Sequence, residues 1–388
     1  MWSWWRDMEM KTLGTVATYI NGRAFKPSEW EKTGMPIIRI QNLTSENAPY
    51  NYSKGIFEEK YIVHNGDLLF AWSASLGAHI WKGQDAWLNQ HIFKVLPKEG
   101  IDRDYLYYFL LAVVAELYAK THGSGMVHIT KAPFMNTPIP VPSLPEQQRI
   151  VSRIEELFSQ LDAGVKTLKK TKAQLAVYRQ AVLKEAFSYC AEKKPIREMS
   201  SIVTSGSRGW AKYYCDNGAK FIRIGNLTRN KIYIDLDDIQ HVQLPDKAEG
   251  TRTKLAPNDV LVSITADLGS IGLVPNGIGE AYVNQHIAMI RFNNQIQGEF
   301  YAWYLRSEYG QQDLLRNKRG GGKLGLGLDD IRDSRVPVVS NETAESILSI
   351  IECRLSVCDS IEHTVDLALQ QAEAMRQSIL KDAFEGRI

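Results

Sequence analysis

The sequence predicts an α+β fold in which two tandem, pseudosymmetric domains are joined by two long antiparallel coiled-coil helices. Two observations carry this prediction: the halves of the chain repeat the same motifs in the same order, and each half ends in a run with coiled-coil spacing. At 388 residues the chain also exceeds one ordinary domain of about 150 residues. We expect four segments, namely a first domain at 1–144, a first helix at 145–194, a second domain at 195–340 and a second helix at 341–388.

The internal repeat is visible in several short motifs. The segment GMPIIRIQNLT at 34–44 recurs as GAKFIRIGNLT at 218–228, with seven identities in eleven positions. The tripeptide Asn-Gln-His occurs at 89–91 and again at 284–286. A period of about 190 residues is too long for a solenoid, so the repeat indicates a duplicated domain followed by a duplicated helix.

Within each half, short apolar and β-branched runs alternate with Gly, Pro and Asn, which is typical of strands and turns. In the first half these runs cover 36–40, 67–71 and 91–96. A helix is predicted to follow in each half, at 102–121 and at 297–316. The sequence leaves the order of the strands in the sheets open.

The two predicted long helices carry matching apolar seams and opposite charge. Residues 145–194 contain ten basic and six acidic side chains, whereas 341–388 contain four and nine. Because opposite charges attract and both seams have heptad spacing, we predict an antiparallel pair rather than two independent surface helices. The predicted seams are Ile150, Ile154, Leu157, Leu161, Val165, Leu168, Leu175, Tyr178 and Val182 in the first helix, and Ile347, Ile351, Leu355, Cys358, Ile361, Val365, Ala372, Met375 and Ile379 in the second.

Motifs of enzyme chemistry are incomplete in this sequence. The run Asn-Ala-Pro-Tyr at 47–50 lacks the first proline of the Asn-Pro-Pro-aromatic tetrad of DNA amino-methylating enzymes, and no cofactor loop precedes it. The glycine run at 320–324 lacks the first glycine and the Ser or Thr of a P-loop. The acidic pairs 237–238 and 329–330 fit turns and helix starts better than a metal site. We therefore predict no catalytic residue, metal or cofactor in this chain.

Composition narrows the class of protein and its compartment. A formal net charge of +2 is weak for a nucleic-acid binder, so DNA binding has to depend on local patches. Four cysteines without a CxxC pair disfavour zinc and a disulfide framework, and they favour a reducing cytoplasm. No stretch reaches about 18 consecutive apolar residues, so no membrane span is expected.

Two loops combine glycine with cationic side chains at equivalent places in the two halves. The first loop covers 123–131 and the second covers 316–323. Glycine lets backbone amides approach phosphates, and Arg or Lys can neutralise phosphates or bind the edge of guanine. A solvated turn explains either loop alone equally well. Their equivalent placement in both repeats favours contact with DNA.

Together these motifs resemble those of the specificity subunits of type I restriction-modification enzymes. That family alternates two target-recognition domains with two long helices. The resemblance rests on the Pro-rich segment that ends in Leu-Pro-Glu-Gln at 144–147, and on the helix ends at 179–187 and 376–386. The second repeat departs from the pattern, because 336–344 contain no Leu-Pro-Glu-Gln run.

The resemblance implies a non-catalytic subunit that reads a bipartite, asymmetric site in duplex DNA. It also implies two methyltransferase subunits as partners, optionally two restriction-translocase subunits, and S-adenosylmethionine on the partner subunit only. Two other classes stay open at this point. The chain could be a stand-alone DNA methyltransferase with an unrecognised cofactor loop, or a coiled-coil scaffold whose domains hold other proteins.

If the two half-sites differ, residues that are identical in both repeats cannot distinguish them. We therefore predict scaffold or phosphate-positioning roles for the repeated residues Arg39, Asn42, Gln90, His91, Arg223, Asn226, Gln285 and His286. Base reading is predicted where the repeats diverge, although turns within the core would also explain the segments 72–75 and 264–267. The base-reading candidates are Trp72, Ser73, Ser75, Ser124, His128, Lys131, Thr265, Asp267, Lys318, Arg319 and Lys323.

Three apolar residues of the first long helix are predicted to bind the partner subunits. They are Phe158, Val177 and Phe187, which require cover if the faces beside the seam are exposed. The competing interpretation is that these side chains widen the seam between the two helices.

Overall fold

The structure is a computed structural model of the chain. It describes residues 9–45, 47–119, 131–229, 231–245, 251–294, 297–316 and 325–388. The chain divides into two compact units, of which the first comprises Met1–Leu168 with Leu367–Ile388 and the second comprises Lys169–Asp366. The α+β class with two tandem domains and two long antiparallel helices is confirmed. The four segment boundaries predicted above stay a prediction.

The first unit contains ten strands, four short or medium helices and the first part of a long helix, α5, among its described residues. The strands are β1 (Met10–Thr12), β2 (Ala17–Asn21), β3 (Met35–Ile38), β4 (Asn51–Ser53), β5 (Ile62–Val63), β6 (Leu68–Ala71), β7 (Gly77–Ile80), β8 (Ala86–Leu88), β9 (Ile92–Pro97) and β10 (Pro138–Pro140). The helices are α1 (Leu13–Val16), α2 (Ile40–Thr44), α3 (Arg103–Ala119), α4 (Lys131–Met135) and α5 (Leu144–Phe187).

The second unit repeats most of this order of elements. Its strands are β11 (Lys193–Pro195), β12 (Ser200–Ser205), β13 (Tyr214–Cys215), β14 (Ala219–Ile222), β15 (Gln240–Val242), β16 (Val260–Ser263), β17 (Ile271–Leu273), β18 (Ala281–Val283), β19 (Ile287–Phe292) and β20 (Arg335–Pro337). Its helices are α6 (Ile196–Met199), α7 (Gly298–Arg306), α8 (Glu308–Leu315), α9 (Leu328–Asp333) and the first part of α10 (Asn341–Phe384). The last part of α10 belongs to the first unit, and the last part of α5 belongs to the second.

The sheets of the two units share most of their topology, although the mixed sheets, β4-β3-β8-β5 and β13-β15-β14-β18, carry their fourth strand at opposite edges. Each unit has a four-stranded antiparallel sheet, in the order β2-β9-β6-β7 or β12-β19-β16-β17. Each also has a mixed sheet with one parallel pair, which is β3 with β8 or β14 with β18. A two-stranded ribbon, β1 with β10 or β11 with β20, completes each unit.

The predicted helix at 297–316 is wrong as a single helix, because the chain breaks at Ser307. This residue is extended, with ψ at 163°, and it forms the N-cap of α8. Its hydroxyl donates to the carbonyl of Tyr304 at 2.6 Å, while the N–H of Gly310 donates to the same hydroxyl at 3.4 Å. A serine that satisfies backbone groups on both sides ends one helix and starts the next.

Helices α5 and α10 are antiparallel, since the numbers of the paired residues fall along α10 as they rise along α5. Such pairs occur within each unit, and each of them contributes little individually because at least one of its side chains is exposed to solvent. The pairs are Asp162 with Arg376 in the first unit and, in the second, Lys172 with Asp366 at 2.7 Å, Arg179 with Asp359 at 2.6 Å and Glu185 with Arg354 at 2.6 Å.

The end of each long helix forms part of the core of one unit. Phe384 packs its ring 5.3 Å from Tyr105 and 5.2 Å from Phe109 between ring centroids, in the core of the first unit. Phe187 occupies the equivalent place in the second unit, 5.4 Å from both Phe300 and Tyr304. The helix ends that repeat in sequence are therefore repeated as core contacts.

Candidate nucleic-acid interface

A turn between β6 and β7, at 72–75, holds the first group of predicted base-reading residues. Ala74 at its tip has φ of 59°, a left-handed conformation that residues other than glycine seldom adopt. The N–H of Trp72 donates to the carbonyl of His91 at 3.2 Å, and the centroids of their rings lie 5.4 Å apart. The structure therefore places this turn against the repeated Asn-Gln-His segment.

The equivalent turn of the second unit, at 264–267, has the same geometry. Ala266 has φ of 58°, and the N–H of Ile264 donates to the carbonyl of His286 at 3.0 Å. The Oγ1 of Thr265 lies 2.8 Å from Nδ1 of His286, within hydrogen-bond distance. We call 72–75 and 264–267 the divergent turns, because they combine one backbone geometry with different side chains.

A glycine in each unit lets a neighbouring strand approach the Asn-Gln-His segment closely. A Cβ atom on Gly22 would lie 2.0 Å from the carbonyl oxygen of Asn89, and one on Gly206 would lie 2.0 Å from that of Val283. No side chain fits at such distances, so both positions require glycine. The repeated glycine therefore fixes the end of β2 or β12 beside the start of the Asn-Gln-His segment.

The repeated asparagines close loops in the same way in both units. Asn42 accepts a hydrogen bond of 3.0 Å from the N–H of Arg39, and its amide donates to the carbonyl of Ala48 at 3.2 Å. Asn226 accepts from the N–H of Arg223 at 2.8 Å and donates to two carbonyls of the loop that follows. Both side chains are buried, which fits a scaffold role.

The two repeated arginines keep part of their surface accessible to solvent. The guanidinium of Arg39 lies 5.6 Å from the centroid of the Trp30 ring. Arg223 lies 3.9 Å from the exposed carboxylate of Asp238. Neither arginine is buried in an ion pair, and phosphate positioning by them stays a prediction.

The repeated glutamine and histidine contact each other in each unit. The Nε2 atoms of Gln90 and His91 lie 3.2 Å apart, and those of Gln285 and His286 lie 2.8 Å apart. The Nδ1 of His91 is buried, and none of the described residues gives it a hydrogen-bond partner. These contacts fix the orientation of both imidazoles, although the roles of the four residues stay predictions.

Asp267 is the predicted base-reading residue with the clearest chemistry. One of its carboxylate oxygens accepts a hydrogen bond of 2.6 Å from Arg229, and the other accepts one of 2.6 Å from the hydroxyl of Ser270. These bonds, above all the one from Arg229, hold the pKa of Asp267 below its usual value. The side chain is half exposed, so an ionised acceptor lies on the surface of the divergent turn.

The other base-reading candidates have mixed outcomes. Ser73 is only 3% exposed, so the structure removes it as a candidate for base contact. Ser75 is half-buried beside it, and Lys131 is exposed at the start of α4. Base reading by Trp72, Ser75, Lys131, Thr265 and Asp267 stays a prediction. The candidates Ser124, His128, Lys318, Arg319 and Lys323 lie outside the described residues.

The chain that follows the second glycine-rich loop is bonded to the divergent turn of its unit. Gly325 forms a β-bridge with Thr265, and the N–H of Leu326 donates to the carbonyl of Ile264 at 3.0 Å. The divergent turn and Gly325–Leu326, which follow that loop in the chain, are therefore neighbours in space, although about 60 residues separate them in the sequence. This proximity supports the prediction that both belong to one interface.

Both halves of the chain match the model of a known protein family. The family model of the type I restriction modification DNA specificity domain matches residues 6–175 and 192–371. The chain belongs to this family. The two matches coincide with the two halves of the repeat, so each half is one specificity domain.

Individual relatives agree with the family. The chain is 26% identical to the EcoBI specificity subunit of a type I restriction enzyme from Escherichia coli, over 97% of this chain and 85% of that protein. It is 23% identical to the MjaVIII specificity subunit from Methanocaldococcus jannaschii, over 98% and 93%. Nearly the whole chain therefore aligns with proteins named as specificity subunits.

Solved structures support the fold. A chain from a study of complex assembly and conformational transition of the type I R-M system has a TM-score of 0.72 at 17% identity, and the similarity covers 98% of both chains. The HsdS subunit from Thermoanaerobacter tengcongensis has a TM-score of 0.51 at 17% identity, with 99% and 98% covered. These similarities confirm two specificity domains with long helices.

The surfaces predicted to bind partners need correction in this member of the specificity family. Phe158 is 8% exposed and Phe187 is 2% exposed, so the prediction that they require cover from a partner is wrong. Helices α3 and α7 of the specificity domains cover these rings, through Tyr108 and Phe300 respectively. Val177 is 71% exposed, and partner binding there stays a prediction.

Some predicted seam residues of the long helices also lie on the surface. Tyr178, Ile361 and Met375 are exposed, whereas Ile154 and Ile351 are fully buried. Residues of both long helices belong to the hydrophobic cores of the specificity domains. Because part of each apolar face is used for these contacts, part of the predicted seam lies at the surface. In the second unit, exposed apolar side chains occur on both long helices, and they are Val177, Tyr178, Ile350, Val357 and Ile361.

Arg229 is a site residue that the sequence reasoning missed. It follows the repeated Asn-Leu-Thr motif directly, but its counterpart in the first half is Ser45, so no repeat indicated a role. Its bond to Asp267 ties a second loop to the divergent turn. The signal that could have found it is a cation placed next to a repeated motif in only one specificity domain.

Two further features concern cofactors and membranes. Over the described ranges, no group of three or more His, Cys, Asp or Glu side chains is arranged to hold a metal ion. None of the helices in those ranges combines the length and apolar character needed to cross a membrane. All four cysteines are free thiols.

Proposed function

We propose that this chain is the non-catalytic DNA specificity subunit of a type I restriction-modification complex, which reads a bipartite, asymmetric duplex site. The observation that carries the proposal is the pair of divergent turns, which share a left-handed alanine and a contact to Asn-Gln-His but differ in side chains. Two copies of one framework with different surface groups suit two different half-sites.

We further propose that two methyltransferase subunits bind along the long helices and that two restriction-translocase subunits can join the assembly in the cytoplasm. S-adenosylmethionine would then belong to the methyltransferase alone. The incomplete tetrad at 47–50 and the absent P-loop residues near 320–324 support a non-catalytic role for this chain. Binding of S-adenosylmethionine by the isolated chain would contradict the assignment and favour a stand-alone methyltransferase.

A substitution in a divergent turn tests base reading. Asp267→Asn should weaken discrimination at one base pair of one half-site by about 1 to 3 kcal/mol, because a carboxylate accepts from the amino group of cytosine and an amide presents a donor as well. The site is first mapped by methylome sequencing of cells that express the complete system. Fluorescence anisotropy with duplexes that carry each base at each position then measures the change.

The matched control for this test is Asp329→Asn. Asp329 is also exposed and paired with an arginine, but it lies on α9 and its partner, Arg332, belongs to the same helix. Its substitution should leave the base preference as it is. If Asp267→Asn likewise changes neither affinity nor base preference, the divergent turn of the second domain does not read DNA.

A charge on the exposed part of the long helices tests partner binding. Val177→Glu should abolish co-purification with the methyltransferase subunit, because the change places a charge among the exposed apolar residues of the second unit. Tyr189→Glu is the control, since Tyr189 is 89% exposed and lies beyond the end of α5. Circular dichroism checks that both variants are folded. Normal assembly of Val177→Glu would show that the interface lies elsewhere.

A further inference from the structure

A cationic cavity lies in the second unit between α5, α7, α10 and the loop that carries Arg229. Its volume is about 240 Å³. Four cationic side chains and one carboxylate line it, whereas an average surface mixes both signs more evenly. The charged lining residues are Lys172, Arg179, Arg229, Arg306 and Glu362.

Arg306 is the cation in this cavity that lacks a carboxylate partner among the described residues. One of its N–H groups donates to the carbonyl of Lys231 at 2.7 Å, and its guanidinium lies 5.6 Å from the centroid of the Trp303 ring. Burial, together with the nearby charges of Arg179 and Arg229, lowers the pKa of Arg306 to about 10. Over the part of the chain that the structure describes, the carbonyl of Lys231 is the hydrogen-bond acceptor of this guanidinium, so its remaining N–H donors are available to an anion.

The other three cations of the cavity are already paired with acids. The acids, except Glu362, lie on the solvent side and do not line the cavity. Arg306 is therefore the charge that an added anion would neutralise. The pairs are Lys172 with Asp366 and Glu362, Arg179 with Asp359 and Glu362, and Arg229 with Asp267.

The equivalent cavity of the first unit shows that the fold does not require these cations. The repeat places Leu111 where the second unit has Arg306, and Glu373 where it has Ala176. Arg376, the counterpart of Arg179, is the cation there, and it faces several acids. The acidic residues that line this cavity are Glu155, Asp162 and Glu373.

A second cavity extends from the cation cluster to Gly269 and Ser270, which follow the divergent turn in the chain. It also has a volume of about 240 Å³ and shares Arg229 and Arg306 with the first cavity. Ser270 and Gln311 line it as well, so hydroxyl and amide groups lie beside the guanidinium groups. Convergent planar guanidinium groups with additional polar groups suit an oxyanion that accepts several hydrogen bonds.

We propose that this cavity binds a phosphate group, supplied either by the DNA backbone or by free phosphate. Its chemistry is a tetrahedral oxyanion held by Arg306, with Arg179 and Arg229 beside it. The equivalent cavity of the first unit is lined by acidic residues around Arg376, so the site would make the two halves of the molecule unequal toward phosphate. The free-phosphate arm of the test does not depend on DNA recognition.

The first arm measures thermal unfolding of the full chain in inorganic phosphate. When phosphate is about tenfold above its Kd, the midpoint for the second unit should rise by about 3 to 6 °C over sodium chloride of equal ionic strength. Arg306→Gln should lose this rise. Phosphate also stabilises proteins generally, but that effect acts equally on the unchanged protein and on Arg306→Gln, so it cancels when the two are compared.

The control variant is Arg376→Gln, which changes the equivalent cavity of the first unit. It should keep the phosphate-dependent rise in full. Arg306→Gln should fold at least as well as the unchanged chain in chloride, because it removes a buried charge without an ion-pair partner. If Arg306→Lys keeps part of the phosphate-dependent rise, this would support a site that depends on the positive charge.

The second arm measures affinity for duplex DNA as a function of salt. If the phosphate belongs to the DNA backbone, Arg306→Gln should weaken binding to all sequences alike and reduce the salt slope by about 1. If the loss is confined to inorganic phosphate, the site holds free phosphate. Either result supports the proposal.

Three results would overturn it. The midpoint of thermal unfolding of the unchanged chain could be no higher in phosphate than in the chloride control. The rise could persist in Arg306→Gln or vanish equally in Arg376→Gln. Acetate or malonate could stabilise the chain as much as phosphate does, which would identify a carboxylate site for an acidic protein segment.

Discussion

Replacing Phe384 by alanine is expected to destabilise the first unit by about 3 to 5 kcal/mol. The ring is 3% exposed and packs against Tyr105 and Phe109, so its removal leaves a cavity in the core. This residue lies at the far end of the chain from the domain that it stabilises. Urea titration measures the change in the free energy of unfolding. Hydrogen exchange of the folded protein should show that peptides from β6 exchange faster in the variant than in the unchanged chain.

Phe187→Ala is the matched variant, and it should destabilise the second unit instead. Its ring contacts Phe300 and Tyr304, the counterparts of Tyr105 and Phe109. Faster exchange should then appear in peptides from β16. If both variants weakened the same unit, or if Phe384→Ala left β6 peptides unchanged, the assignment of the helix ends to separate cores would be contradicted.

A chain that ends at residue 194 is expected to form a dimer. It lacks 367–388, and with it the Phe384 ring that completes the core of the first unit. Phe187 of a second copy can occupy the equivalent position on Tyr105 and Phe109, because the repeat relates these contacts. Sedimentation equilibrium should show a dimer. With its methyltransferase, this dimer should methylate a palindromic site that repeats one half-site.

Salt and one substitution distinguish this dimer from nonspecific association. In the full chain a basic helix faces an acidic one, but in the dimer two basic helices share a seam. Repulsion should therefore weaken the dimer at low salt, and added salt should strengthen it. Phe187→Ala in the short chain should prevent dimerisation. A stable monomer, or retention of the original asymmetric site, would contradict the duplicated-domain interpretation.

The repeat made the two-domain organisation predictable from sequence, because similar motifs adopt similar folds. The pairing of the long helices was predictable because their apolar seams match and their charges are opposite. The order of the strands was not predictable, since pairing such as β3 with β8 joins residues that are far apart in the chain. The break at Ser307 was missed because helical apolar spacing continues across it. Local sequence gave no sign of the side-chain bonds that cap both helices there.

The site was only partly predictable for a similar reason. Comparison of the repeats located both divergent turns, and the structure brings each beside Asn-Gln-His. Burial of Phe158 and Phe187 depends on α3 and α7, which are distant in sequence, so apolar spacing alone could not reveal it. Arg229 and Arg306 were overlooked because their counterparts in the first half, Ser45 and Leu111, carry no charge.

The left-handed alanine at the tip of each divergent turn limits how new specificities can evolve. Ala74 and Ala266 have positive φ, which β-branched side chains tolerate poorly because their Cβ substituents clash with the backbone. Val, Ile and Thr at the tip would therefore cost stability before they could offer a contact. Mutational drift is freest at the flanking positions, which lets a lineage acquire new target sequences while the backbone of the turn is inherited unchanged.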